Sequence, residues 1–144
     1  MSRTLDRHRP DLEVLVQIKY VSVMVEDQER ALHFYSDVLG FRKVADVPAG
    51  EYRWLTVTSP DGPEGVELLL EPMAFPPARE YQKALFDAGI PATAFVSSDI
   101  RGDFGRLRSA GVAFRGEPVD VGSATIVAFE DTCGNLIQLV QPAA

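Results

Sequence analysis

Valines at positions 21, 23 and 25 alternate with Tyr20, Ser22 and Met24, the period-two pattern of a strand with one face beneath a helix. The β-prone run that this pattern closes begins at Leu12. After it, Ala31, Phe34, Tyr35 and Val38 recur at helical spacing, the buried stripe of an amphipathic helix. Asp27 stands where a side-chain carboxylate accepts hydrogen bonds from the free amides of a first helical turn, and Gly40 where a left-handed residue ends the helix. Three strands are predicted next, over 41–46, 52–58 and 65–71, separated by Ala49-Gly50 and by Ser59-Pro60-Asp61-Gly62.

The same order returns in the second half of the chain. The segment from Ala94 to Asp99 leads into a helix with Phe104 and Leu107 inside and Gly111 at its end. Strands follow over 112–115, 123–129 and 136–141, the last reached through the turn Asp131-Thr132-Cys133-Gly134-Asn135. Gly65-Val66-Glu67-Leu68-Leu69 is echoed by Leu136-Ile137-Gln138-Leu139-Val140, which aligns Glu67 with Gln138; Tyr20 aligns with Ala92. Each copy therefore reads strand–helix–strand–strand–strand, one over about 17–71 and the other over about 92–141. Residues 72–91 join them, beginning with Pro72, Pro76 and Pro77 and turning helical from Pro77 to Ala88, before Gly89 and Pro91. Residues 1–11, polar and carrying Pro10, read as a flexible tail. Residues 12–144 read as one α+β domain, its two tandem βαβββ modules forming curled mixed sheets around a central cleft.

Composition narrows the partners. The formal net charge is −7, which argues against nucleic acid or an anionic membrane surface, both of which need a basic face. A single cysteine, Cys133, excludes an internal disulfide framework and suits a reducing compartment. Arg3, Arg7 and Arg9 are interrupted and followed by Asp6, Asp11 and Glu13, and Gln17 and Lys19 break the apolar stretch beyond. That stretch reads as neither signal peptide nor membrane span, and a cytoplasmic location is expected.

With Asp27, Ala31, Phe34-Tyr35 and Val38-Leu39-Gly40-Phe41 in the first copy, and Phe129, Asp131, Gly134-Asn135 and Ile137-Gln138-Leu139 in the second, the chain resembles the vicinal oxygen chelate superfamily. That group includes glyoxalase I, bleomycin-resistance proteins, fosfomycin-resistance enzymes and extradiol dioxygenases. The resemblance covers about residues 17–141, and one scaffold there carries isomerases, transferases, oxygenases and plain binders. It implies four metal-ligand positions, which fall here on Tyr20 and Ala92 in the first strands and on Glu67 and Gln138 in the last. Glu67 is a competent ligand for zinc, nickel, manganese or iron, Gln138 a weaker one and tyrosine an unusual one, while Ala92 has no donor atom. The two histidines, His8 and His33, lie off these strands, so the two-histidine iron site of a dioxygenase is absent from the sequence. No cofactor is expected, and a divalent metal stays as the exception.

Glu67 shares a strand face with Leu69 and Glu71, opposite Val66, Leu68 and Leu70. A carboxylate there needs a ligand, a cation or a hydrogen-bond partner, and Arg53 is the candidate cation. Tyr20 and Gln138 either orient a ligand or satisfy each other and Glu67. Ser22, Met24, Leu69, Ala92, Ala94 and Val96 are expected to line the cavity with them, Met24 as an adaptable apolar wall. Trp54 either stacks on an aromatic ligand or joins the core, the core being preferred for a large aromatic in a strand; His33 is assigned to a solvent-facing helix position, Glu64 and Glu71 to the rim, and Cys133 to a non-catalytic turn. The expected function is small-molecule binding in the cleft, of an apolar or aromatic compound, by a homodimer with a degenerate metal site. Two alternatives remain: a metal-dependent glyoxalase-like lyase or isomerase using Glu67, and metal-free acid–base catalysis by Glu67 with Tyr20 as proton donor. The latter needs a Glu67 pKa raised above its ordinary value.

Overall fold

The structure, a computed structural model, describes residues 16–144. The tail expected over residues 1–11, with His8, and the start of the β-prone run at Leu12 lie outside the described residues. The first module comprises β1 (Tyr20–Val25), α1 (Gln28–Leu32) with a π-helical continuation (His33–Val38), β2 (Arg42–Ala49), β3 (Tyr52–Thr58) and β4 (Glu67–Pro72). A linker helix, α2 (Pro76–Ala88), leads to β5 (Thr93–Val96), α3 (Ile100–Ser109), β6 (Val119–Asp120), β7 (Ala124–Glu130) and β8 (Leu136–Pro142). The two four-stranded sheets have matching orders, β1-β4-β3-β2 and β5-β8-β7-β6. In each, the first and last strands pair in parallel and the rest antiparallel. The α+β architecture of paired βαβββ modules is thus present, with the sheets not closed on each other.

Local chemistry explains the elements. Asp27 and Asp99 both cap as expected, accepting from the amides of Arg30 and Gly102. Gly40, Gly89 and Gly111 all take positive φ at helix ends. The predicted strand over 112–115 shrinks to a single bridge, Phe114 with Phe129. Gly116 turns the chain at φ 110° and Pro118 has no amide to donate, so pairing resumes only at β6.

One core serves both modules. Val23, Val25, Leu55, Val57, Leu68 and Leu70 of the first sheet join Ile100, Phe104, Leu107, Val127, Phe129, Ile137 and Leu139 of the second module. Each such side chain, fully buried, contributes roughly 1.5–3 kcal/mol before entropy is counted. Aromatic rings knit the seam: Phe34 lies 6.1 Å from Phe129, and Phe95 lies 5.3 Å from Phe41. The sheets therefore meet through their helix-bearing faces, and their opposite faces point outward.

A buried polar cluster crosses the same seam. Asp131, fully buried, accepts from the Tyr35 hydroxyl at 2.6 Å, from Asn135 Nδ2 at 2.8 Å, and from the Cys133 and Asn135 amides at 2.8 and 3.0 Å. Gln82 of α2 donates to the carbonyls of Met24 in the first module and Cys133 in the second. Burial, with Asp131 adding to it, pushes the Cys133 thiol pKa up, so this cysteine is held as an inert thiol.

Candidate functional site

The outward face of the first sheet carries Tyr20, Ser22 and Met24 on β1, beside Glu67, Leu69 and Glu71 on β4 in that register. Thr56 lies opposite Leu69 on β3, and Ala45 and Val47 of β2 lie opposite Thr56 and Trp54. Leu55 and Val57 point the other way, into the core. Strand alternation therefore places Trp54 on the open face, at 37% exposure, which corrects the preference for the core. Its ring meets Tyr20 edge-on, centroids 5.4 Å apart at 78°. Tyr20 and Trp54 stand on β1 and β3 with β4 between them, so the rings reach toward each other across the sheet. Tyr52 shares this face, opposite Ala49.

Below the aromatics runs a chain of hydrogen bonds. A bulge between Lys43 and Ala45 interrupts the β2–β3 ladder. There the Ala45 amide donates to Thr56 Oγ1 at 3.2 Å, and that hydroxyl donates to Glu67 Oε1 at 2.7 Å. Glu67 Oε2 accepts from Lys19 Nζ at 3.1 Å, and Lys19 also reaches the Gly65 carbonyl at 3.4 Å. The Thr56 hydrogen bond, assisted by Lys19 and opposed by desolvation, holds the Glu67 pKa below the ordinary carboxylate range. This is the opposite of what general acid–base catalysis by Glu67 requires. The cation beside Glu67 is also not the expected one. Arg53 is spent elsewhere, forking onto Asp46 at 3.0 and 2.8 Å and reaching Glu29 at 2.8 Å.

Lys19 and Thr56 are the residues sequence reading missed. Lys19 precedes the regular alternation of β1, so its direction cannot be read from the pattern. Thr56 could have been found, because it shares the phase of Trp54 and Glu67 faces it diagonally across β3 and β4.

The second sheet's open face is plainer. Gln138 lies beside Ala94 and Ala128, while the Ala92 amide donates to the Leu136 carbonyl at 2.8 Å. The caps Asp27 and Asp99 make Val23 equivalent to Phe95, and these pair with Leu70 and Leu139. By that register Gln138 corresponds to Leu69, and Glu67 to Leu136. The sequence echo that matched Glu67 with Gln138 is therefore displaced by two residues. Among the expected lining residues, Ser22, Ala92 and Ala94 are exposed, and Met24, Leu69 and Gln138 are half-buried.

These donors do not fit a divalent metal. Both Glu67 oxygens are engaged and Ala92 offers no donor atom. Among the described residues, no three His, Cys, Asp or Glu side chains come together to hold an ion. His33 is exposed on its helix, with Nδ1 2.7 Å from Asp37. A separate concavity of about 390 Å³ lies by the start of α3, lined by Arg101, Asp120, Thr125 and Gln141 among others. Its helix amides are already taken: Ile100 donates to Gln141 Oε1 and Gly102 to Asp99. The aromatic face of the first sheet is the better candidate.

A fold of two βαβββ modules with outward-facing sheets defines a class that known sequences share. The model of the Glyoxalase/Bleomycin resistance protein/Dioxygenase superfamily matches residues 17–139, and the chain belongs to that family. The uncharacterized protein YurT of Bacillus subtilis (strain 168) is 52% identical over 126 residues, 88% of this chain and 99% of that one. Among solved structures, UcmS2 superposes with a TM-score of 0.75 at 31% identity, covering 88% of this chain and 98% of its own. TnmS3, described as an antibiotic binding protein from Streptomyces sp. CB03234, gives 0.71 at 29% identity, covering 92% and 100%. Among the described residues, no helix is long and apolar enough to cross a membrane.

Proposed function

We propose that the protein binds an aromatic small molecule on the open face of its first sheet and performs no metal-dependent reaction there. The observation that carries this reading is the solvent-accessible Tyr20–Trp54 pair, a stacking surface over half-buried Leu69 and Met24. A saturated, low-pKa Glu67 supplies neither a free metal ligand nor a proton acceptor poised near neutrality. The likeness to TnmS3, an antibiotic binding protein, supports the same reading.

The site is completed by a second copy of the chain. Tyr20, Val47 and Trp54 on one sheet and Val96 on the other are exposed, and small Ala92 and Ala94 leave room for a facing surface. In this arrangement Gln138 of a partner forms part of the opposite wall.

Trp54 is the single tryptophan, so its indole N–H gives one resonance in a nitrogen–proton correlation spectrum. Polycyclic aromatic compounds are expected to shift that resonance saturably, and Trp54→Leu to abolish their heat of binding. If no member of an aromatic panel moves the indole signal, the reading fails. A monomer at every concentration in light scattering would remove the dimer.

A further inference from the structure

We propose that Lys19 sets the charge preference of this face, so that its ligands are aromatic compounds bearing an anionic or strongly accepting oxygen, such as a carboxylate or phenolate. The inference rests on the binding reading above and adds the chemistry of the polar group that the ligand must carry.

The argument begins with which half of the ion pair meets solvent. The Glu67 side chain is only 14% exposed and the Lys19 side chain 46%. Thr56 occupies one carboxylate oxygen and Lys19 the other, so Glu67 has little left to offer a visitor. An ammonium has three hydrogens. Two point at Glu67 and the Gly65 carbonyl, the latter at a long 3.4 Å, and the group remains half open. Glu67 thus acts as the buried counter-ion that holds Lys19 in place, and Lys19 is the charge displayed.

Its position is suited to a stacked ligand. Lys19 Nζ sits 5.3 Å from the centroid of the Tyr20 ring, the same ring whose partner is Trp54. A planar molecule against these rings carries its substituents toward the ammonium. The chain's net charge of −7 suggests the opposite preference. At physiological salt, however, exposed charges farther than about 8 Å are largely screened, whereas contact pairs are not. By register Arg42, opposite Thr58 on β2, adds a second cation to this face, while Glu71, opposite Met24 at the other end of β1 and β4, opposes Lys19. A cationic ligand would use Glu71, so the two residues make opposing predictions.

The test uses two probes with one ring system and opposite charge, 2-naphthoate and naphthalen-2-ylmethylammonium. Both are titrated at pH 7 against the Trp54 indole resonance and by calorimetry. A charge-assisted hydrogen bond of about 1.4 kcal/mol or more predicts naphthoate binding at least about tenfold tighter. Lys19→Met is expected to erase that ratio and Lys19→Arg to keep it. Equal affinities in the wild type, or a ratio that survives Lys19→Met in a variant with native spectral dispersion, would overturn the inference while leaving the aromatic face intact as a binding site. If neither probe moves the indole, both readings fall together.

Discussion

Tyr35→Phe removes one oxygen from the centre of the molecule and tests how its two halves are joined. The Tyr35 hydroxyl lies 2.6 Å from Asp131 Oδ2, and both residues are fully buried. Phenylalanine fills the same space, so no cavity term enters. A hydrogen bond to a carboxylate contributes about 1.5–3 kcal/mol. Asp131 keeps three other donors in the variant, from Asn135 Nδ2 and the Cys133 and Asn135 amides, so the expected loss is about 2 kcal/mol. In urea, with a slope near 2 kcal/mol/M, the midpoint should fall by about 1 M without a change in slope. Melting should drop by about 5 °C. The pH dependence adds a sign. Burial, reinforced by the charge of Asp131, raises the Tyr35 pKa well above 10.0. The folded state therefore holds this proton more tightly than the unfolded chain does. The stabilisation is complete below about pH 10 and is lost as the pH climbs toward the folded-state pKa. The gap between wild type and variant should be constant from pH 7 to 9 and narrow above pH 10. A midpoint shift under about 0.3 M, or a gap that widens at high pH, would refute this account of the seam.

Three further outcomes follow from other contacts. Arg53 holds the Asp46 carboxyl down to about 2, so its stabilisation is present above the unfolded value near 4 and is lost as pH falls through about 2; a carbon-detected titration with a midpoint near 4 would contradict the pairing. Gln28 donates to the carbonyls of Arg53 and Leu70 and accepts from the Arg53 amide, standing in for ladder bonds where β3 and β4 part. Gln28→Ala should cost about 2–4 kcal/mol and speed hydrogen exchange at Arg53, and unchanged exchange would show the bridge is not needed. Gly134→Ala places a methyl 2.6 Å from Gln82 Oε1 at φ 96°, so a loss above about 1 kcal/mol is expected, and in a double-mutant cycle Gln82→Ala should cost less beside Gly134→Ala than alone. If the two losses simply add, the strain lies in the backbone alone.

Much of the fold was legible because it repeats. Alternation marked β1, the caps Asp27 and Asp99 fixed two helix starts, and glycines ended all three helices. The site was less legible. Trp54 was misplaced because a large aromatic suggests burial, although Leu55 and Val57 already claimed the buried phase of that strand. Lys19 was missed because it lies just before a regular strand, where phase says nothing of direction. The Glu67–Gln138 match failed for a different reason: ladders, not local sequence, decide which residues sit opposite, and a slip of two keeps every apolar residue on its face.

A duplicated chain has two of everything except the piece that joins the copies. Here that piece, α2, sends Gln82 into the second module's last hairpin and onto the end of β1, and the corresponding hairpin of the first module receives no such visitor. Twofold likeness must break at that point, since one linker cannot serve two equivalent turns. The halves are consequently unequal in duty. The second receives the linker's side chain in its last hairpin and shows small alanines on its outer surface, while the first carries the exposed aromatic pair and Lys19. On the binding reading proposed above, inherited variation in ligand choice is expected to accumulate in the first half.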